Sequence, residues 1–260
     1  CVIQGTFTKI NMLISICMAT YNGAKYIREQ VDSILNQEFT ENKDVEMELV
    51  VSDDGSTDDT LKILESYGDS RIKIFHHTEH KKHKYLNASR LCKCNFENAM
   101  RQAKGDYIFL SDQDDVWYPW KVDKQLSALR RSGGVNAAAF DLGDANLNNK
   151  KVVVYPHKMP FLSLKNADNL YGFSMAFTRK EMGYYLPIPT AVAGHDKYMQ
   201  YSAIWRKTLS FIDEPCAVHR YSGEHNVSSF GKNNILPPFH ITLYYRLVTY
   251  MSVIWRSIRR

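Results

Sequence analysis

Between Met12 and Leu110 short apolar runs alternate with amphipathic stretches, and this alternation limits the fold more than any other feature of the chain. Leu13-Ile14-Ser15-Ile16-Cys17-Met18 reads as a buried strand, with turn chemistry after it at Tyr21-Asn22-Gly23. A helix is predicted over 25–35, with Ile27, Val31, Ile34 and Leu35 on one face. Glu48-Leu49-Val50-Val51 is a second strand, and Ser56 or Thr57 is placed to cap the following helix, which carries Leu61, Ile63 and Leu64 and ends near Gly68. Ile72-Lys73-Ile74-Phe75 is a third strand, followed by a polar loop over 76–90. A helix marked by Phe96, Met100 and Ala103 closes at Gly105, and Tyr107-Ile108-Phe109-Leu110 is a fourth strand. This order predicts an α/β chain with a mainly parallel sheet flanked by helices, and ligands gather at the carboxyl ends of such strands.

The acidic residues stand at those ends. Asp112, Asp114 and Asp115 crowd the stretch FLSDQDDVW at 109–117. Like charges this close repel, and a carboxylate beside apolar surface is costly unless paired. Hard divalent cations, manganese or magnesium, take such oxygens and keep positions for water and phosphate. The alternative is a capped turn, with one Asp capping a helix that starts near Pro119 and the others solvated. Thr20-Tyr21-Asn22 offers an aromatic face for stacking on a base. Asp53 can accept a hydrogen bond from a base imide, and Asp54 can reach a ribose hydroxyl or a cation; Gly55-Ser56-Thr57 can equally be plain turn and cap. DDGST also has the outline of a phosphatase loop, but the nucleophile position there is Ser52. No glycine-rich phosphate loop follows the first strand, so phosphate charge is left to metal and side chains.

Composition narrows the partners. The net charge of +5 is modest and concentrated near 79–104 and at the C-terminal end, which suits an anionic ligand or a membrane surface rather than nucleic acid. The cysteines number five with no CxxC, which argues against a disulfide framework and for a reducing, cytoplasmic setting. Neither Cys92-Lys93-Cys94 nor the histidines of 76–90 repeat a metal-ligand spacing. No apolar run reaches the ~20 residues of a spanning helix. Residues 241–255 are apolar and aromatic but contain Arg246, with Arg256, Arg259 and Arg260 beyond. This segment lies on the inner membrane face or docks as a helix on the domain; both readings stand.

After 132 the pattern is less regular. Strands are read at 135–140 and 151–155, a short apolar run at 172–177 and a helix at 197–205. Residues 1–11 read as an extension or expression remnant and 12–235 as one domain, with a nucleotide-type half at 12–132 and a second half at 133–235. Residues 236–260 form a basic amphipathic segment.

In series, ICMATYNGAKYIREQVDSILNQ, LVVSDDGSTDDT and GDYIFLSDQDDVWYPWKV resemble the opening, second-strand and D-x-D motifs of the family 2 glycosyltransferases, in the form common among bacterial polysaccharide and rhamnosyltransferase-like members, over roughly 12–130. The resemblance implies a GT-A (Rossmann-like) fold with an acceptor-side region and terminal helix, a nucleotide-sugar donor (UDP- or dTDP-sugar), a divalent metal, inversion at the anomeric carbon, and a glycan or lipid-linked saccharide acceptor. Carried over by position, Tyr21 lines the base, Asp53 reads the base edge and Asp112 lies against ribose or metal, with Thr20, Asn22, Asp54 and Gln113 as further donor-binding candidates. Asp114 is the metal ligand, and Asp115 orients the turn. Gly194-His195-Asp196 resembles the element that supplies the general base, so Asp196 is the candidate base, with a helix N-cap as its alternative and His195 beside it. Gly172 and Phe173 resemble the glycine-led strand facing the acceptor. The stretch from Arg220 to Ser228 is similar to an R-x-H-G-x-N-x-S element, with Ser222 at the histidine position and His219 and His225 nearby. Arg220 is the candidate for the diphosphate and His225 for the metal. A sugar-1-phosphate nucleotidyltransferase would need a glycine- and arginine-rich opening loop that is absent, and a non-catalytic binding module would not need every carboxylate.

Overall fold

The computed structural model describes residues 12–78, 85–162, 169–221 and 238–259. Its centre is strand β1 (Met12–Thr20), parallel to β2 (Val45–Asp53) on one side and to β4 (Tyr107–Ser111) on the other, with β3 (Ile72–His76) parallel to β2. Ile14, Ile16, Cys17 and Met18 are all buried, as a strand covered on both faces requires. The cover comes from helices α1 (Ile27–Leu35), α2 (Thr60–Glu65), α3 (Asn87–Gln102) and α4 (Lys121–Ser132). The register sets Thr20 opposite Asp53, Asp53 opposite His76 and Met18 opposite Ser111, so the predicted strand ends finish on one rim.

Local expectations fail where side chains take other partners. α1 begins at Ile27, because the carbonyl of Gly23 receives the amides of both Tyr26 and Ile27 in a turn. Neither Ser56 nor Thr57 caps α2; Ser56 donates to Asp53, and Asp58 instead receives the Thr60 amide and hydroxyl. Arg90, read as loop, lies within α3. No acidic side chain caps α4, whose preceding residue Trp120 makes no capping bond, so the capped-turn reading of Asp112, Asp114 and Asp115 fails for this helix.

In the second half, residues 135–140 form two strands rather than one. β6 (Val135–Ala138) joins the main sheet, and β7 (Phe140–Asp144) joins a second sheet with β5 (Val116–Trp117), β8 (Lys151–Val153) and β11 (Ala217–Tyr221), in the order β5-β11-β7-β8. The switch is at Ala139, whose amide donates to Ile212 and whose carbonyl receives Cys216. All six residues are buried, so the sequence pattern carried no mark of the break. The apolar run at 172–177 is a 3-10 turn (Gly172–Ser174) followed by β9 (Met175–Thr178), antiparallel to both β4 and β6. With β10 (Leu209–Ile212) beside β6, the main sheet runs β10-β6-β9-β4-β1-β2-β3. α5 (Arg179–Tyr185), α6 (His195–Arg206) and α7 (Phe239–Arg259) complete the described chain. No helix in it is long and apolar enough to cross a membrane.

Candidate active site

The rim is built by cross-links between the strand ends. Thr20 donates from its hydroxyl to Asp53 at 3.0 Å, and Asp53 also accepts the amides of Gly55 and Ser56. Asp53 is therefore buried as the organiser of the SDDGS turn. Asp54 pairs with His77 at 2.6 Å, a partner that the sequence reading missed and that no local signal marks. Asn22, at φ 48°, accepts the amide of Thr57 and ties the first rim loop to the second. Gln113 clamps the backbone of Tyr21 in both directions, accepting its amide at 2.9 Å and donating to its carbonyl at 3.0 Å. A Cβ on Gly23 would fall 2.3 Å from the Gln113 side-chain oxygen, so the clamp depends on that glycine. The Tyr21 ring is left 55% exposed at the edge of this frame.

Beside the frame, the acidic turn is short of donors. Among the described residues the carboxylates of Asp112 and Asp114 accept no hydrogen bond from another residue. Burial and the charges of Asp115 and Asp114 push the Asp112 carboxyl well above the usual range. Burial and Asp115 push Asp114 up to about 7, against the opposing charges of His219 and Arg220. Asp115 is fully buried. One of its oxygens receives His219 Nδ1 at 2.7 Å and the amide of Arg220 at 3.2 Å, and the other has no partner. Burial works against charge on His219, but the Asp115 carboxylate outweighs it and raises the imidazole to about 9. Phe173 stacks on that ring at 4.7 Å.

Arg220, the candidate for the diphosphate, stands behind the acidic turn. Its guanidinium is buried against Tyr26 and bonds the carbonyls of Asp114 and Ala145 and the carboxylate of Glu29, so its planar fork shapes the acidic turn from behind. Asp115, expected to orient the turn, is the link through which His219 and Arg220 hold it. The neighbouring basic pair could have been sought from the sequence, but its direction could not. His225 lies outside the described residues.

Asp196 stands in the first turn of α6, and its one hydrogen bond among the described residues is from the Lys197 amide. Its charge raises the Asp112 carboxyl. Cys92 of α3 joins the pieces, because the charges of Asp112, Asp196, Asp54 and Asp114 all add to burial in holding its thiol protonated. All four carboxylates therefore act on the same thiol. Gly172 was expected to admit a sugar; a Cβ there would lie 2.7 Å from His195 Nε2, so the glycine makes room for the imidazole. Phe173 is buried. His195 is itself buried with Nε2 unpartnered, and burial holds its ring neutral.

Among the described residues no three His, Cys, Asp or Glu side chains are grouped to ligate one ion. Asp112 and Asp114 still fit a divalent cation that arrives with phosphate, because such ions use one or two carboxylates and leave other positions to water and substrate. The donor-poor pair and the orphaned Asp115 oxygen are what such a cation would compensate.

Known proteins share this arrangement of chain. The profile of Glycosyl transferase family 2 matches residues 15–183, more than half of the sequence. A UDP-Glc:alpha-D-GlcNAc-diphosphoundecaprenol beta-1,3-glucosyltransferase of Escherichia coli is 31% identical over 191 residues, 67% of this chain and 68% of its own. A dTDP-rhamnosyl transferase of Shigella flexneri is 40% identical over 115 residues, covering 43% of this chain and 36% of its own. The chain spans about a third of some relatives, as with an uncharacterized glycosyltransferase of Rickettsia prowazekii, 32% identical over 143 residues that make up 55% of this chain and 35% of the other. In fold, the crystal structure of S. aureus TarS 1-349 with UDP-GlcNAc superposes with a TM-score of 0.62 at 22% identity, over 84% of this chain and 61% of that one. The chain belongs to glycosyl transferase family 2 and has the GT-A fold.

Proposed function

We propose that the protein is an inverting, metal-dependent glycosyltransferase that moves a sugar from a UDP- or dTDP-sugar to a glycan or lipid-linked acceptor during cell-surface polysaccharide synthesis, on the inner face of the membrane. The observation that carries this reading is the donor-poor carboxylate pair Asp112 and Asp114, with Asp196 close enough for its charge to act on Asp112 and with only its Oδ1 engaged, by the Lys197 amide, among the described residues. The E. coli and Shigella relatives, named for UDP-Glc and dTDP-rhamnosyl transfer, support the donor class.

In this reading the exposed Tyr21 ring stacks on the base, and the SDDGS turn organised by Asp53 presents Asp54 toward the ribose. Asp114 and Asp112 hold manganese or magnesium, which when bound neutralises the leaving diphosphate, so no acid is required. Asp196 accepts the proton of the acceptor hydroxyl as that oxygen attacks the anomeric carbon from the opposite face. The new C–O bond forms as the bond to the nucleoside diphosphate breaks, and one displacement inverts the configuration.

The test is turnover with a panel of UDP-, dTDP- and GDP-sugars plus manganese, with and without chelator. One donor should be consumed, and chelator should stop it. No binding or hydrolysis anywhere in the panel would sink the reading. Asp196→Ala should keep donor affinity and lower kcat by about 10²–10⁴-fold; weaker donor binding with unchanged kcat would remove Asp196 from the base role.

A further inference from the structure

A cavity of about 200 Å³ opens beside Asp196, between α3, the first turn of α6 and α7. Its walls include Cys92, Asp196, Lys197, Tyr201, Tyr245 and Arg246. Cys92 is among its lining residues, and its thiol is the group on which the charges of Asp112, Asp54 and Asp114 also act. Two more cations stand behind it. Arg90 is buried with its guanidinium 4.9 Å over the Tyr245 ring and its Nε unpartnered, and Lys93 is buried against the carbonyl of Val192. Asp196 is the single carboxylate among the lining residues described. Arg90 and Lys93 are buried, and Lys197 and Arg246 reach the cavity itself, so an anion entering it meets two cations at the wall with two more behind.

The size of the cavity restricts the guest. It equals about seven waters at ~30 Å³ each, which is enough for a phosphate-bearing head group but small for a whole lipid. The remainder must lie elsewhere, and α7 offers the place. Its inner face, with Thr242, Tyr245, Arg246 and Thr249, lines the cavity. Its opposite face exposes an apolar stripe: Phe239 at 78%, Met251 at 69% and Ile258 at 79%, with Leu243, Leu247 and Trp255 between them. The helix contains Arg246, Arg256 and Arg259 and no acidic residue, and Arg259 stacks on the outward Trp255 at 4.1 Å. It is pinned in place, since Arg256 bonds the carbonyls of Tyr184, Tyr185 and Pro187, and Tyr250 packs on Tyr201 at 4.7 Å. An apolar stripe edged by aromatic and cationic side chains suits the interface of an anionic bilayer.

We infer that the cavity between α3, α6 and α7 binds the phosphate end of a lipid-anchored acceptor, with Lys197 and Arg246 as its cationic contacts and the outer face of α7 lying in the membrane interface. The inference rests on the glycosyltransferase reading, which makes Asp196 the group that meets the acceptor hydroxyl.

Calorimetry of the full chain with farnesyl diphosphate, inorganic diphosphate and, separately, UDP, dTDP and GDP tests it. Farnesyl diphosphate should bind whether or not a nucleotide is present, and inorganic diphosphate should bind more weakly. A Lys197→Gln/Arg246→Gln double variant should lose at least about tenfold in farnesyl diphosphate affinity with nucleotide affinity unchanged. Leu247→Asp/Met251→Asp, on the exposed stripe, should reduce co-sedimentation with phosphatidylglycerol vesicles by a similar factor and keep nucleotide affinity. Equal farnesyl diphosphate affinity in wild type and the cation variant, displacement by nucleotide, or equal binding of inorganic diphosphate overturns the inference while leaving the donor reading intact. Undiminished vesicle binding in the stripe variant overturns the membrane contact. Farnesyl diphosphate binding that depends on both cations, with no nucleotide bound, upholds the pocket and removes the donor reading.

Discussion

Two acidic positions, Asp123 at the start of α4 and Asp114 on the rim, lie nine residues apart in sequence and in opposite electrostatic situations. The Asp123 carboxylate is buried but accepts the amides of Thr40, Glu41 and Asn42, the Thr40 hydroxyl and the Asn42 side chain. Burial opposes its charge, yet those donors, led by the Glu41 amide, pull its carboxyl down to about 2. Asp114 meets burial and Asp115 without comparable donors and rises to about 7. A carboxylate supplied with donors holds the fold together; one left short of them is costly until a ligand completes it. The difference lies in the supply of donors, since both are aspartates near one helix.

The largest effect expected from breaking this contrast is on catalysis. Asp114→Ala should lower turnover by about 10²–10³-fold or more and abolish the manganese dependence of donor binding. Equal metal-dependent donor affinity in wild type and variant would remove Asp114 from the metal site. Asp123→Ala should instead cost roughly 3 kcal/mol of stability, because it strands several buried donors, and leave kcat per folded molecule unchanged. Denaturant titration beside steady-state kinetics separates the two.

pH sharpens the comparison, with opposite signs. The folded Asp123 carboxyl is depressed, so its contribution is present above the ordinary value of 3.8 and is lost as pH falls toward about 2. The folded Asp114 carboxyl is raised, so its contribution is present below 3.8 and is lost as pH rises through about 7. In the metal-free protein at about pH 8, Asp114→Asn should therefore raise the melting temperature and Asp123→Asn should lower it, and both differences should shrink in acid. A shared sign at the higher pH would break the contrast. The smallest effect is expected at the shell behind the rim. His219→Gln removes the cationic partner of Asp115 and should weaken metal-dependent donor binding by about tenfold, as changes to residues that orient ligands do. No change would make the His219–Asp115 pair purely a packing feature.

Legibility differs along the chain in the same way. Strands β1 to β4, the helices between them and the acidic turns were readable because each is announced within a few residues by apolar period and turn chemistry. Asp196 was singled out as a base by resemblance to a family element and as a cap by its place before a helical pattern; the structure puts it inside α6, after the N-cap Gly194, with its side-chain bonding confined to its own turn. The partners of Arg220, Asp114 and Glu29, could not be read because they stand 106 and 191 residues away. The neighbour of Gly172, His195, could not be read because it comes from another element.

By itself, the sequence determined the order of strands and helices, the concentration of carboxylates at strand ends and the apolar, arginine-bearing character of the last helix. These follow from short-range physics: side-chain period, turn propensity and the absence of acids over one stretch. Only the tertiary structure decided that the chain changes sheets at Ala139, that β9 enters antiparallel between β4 and β6, and that α7 closes a basic cavity beside Asp196. It also decided which aspartates are supplied with donors and which are not. The physical reason is that a buried charge is judged by the groups packed around it, and those, as with Asp115 and His219 at a separation of 104 residues, are chosen by long-range packing that no local pattern records.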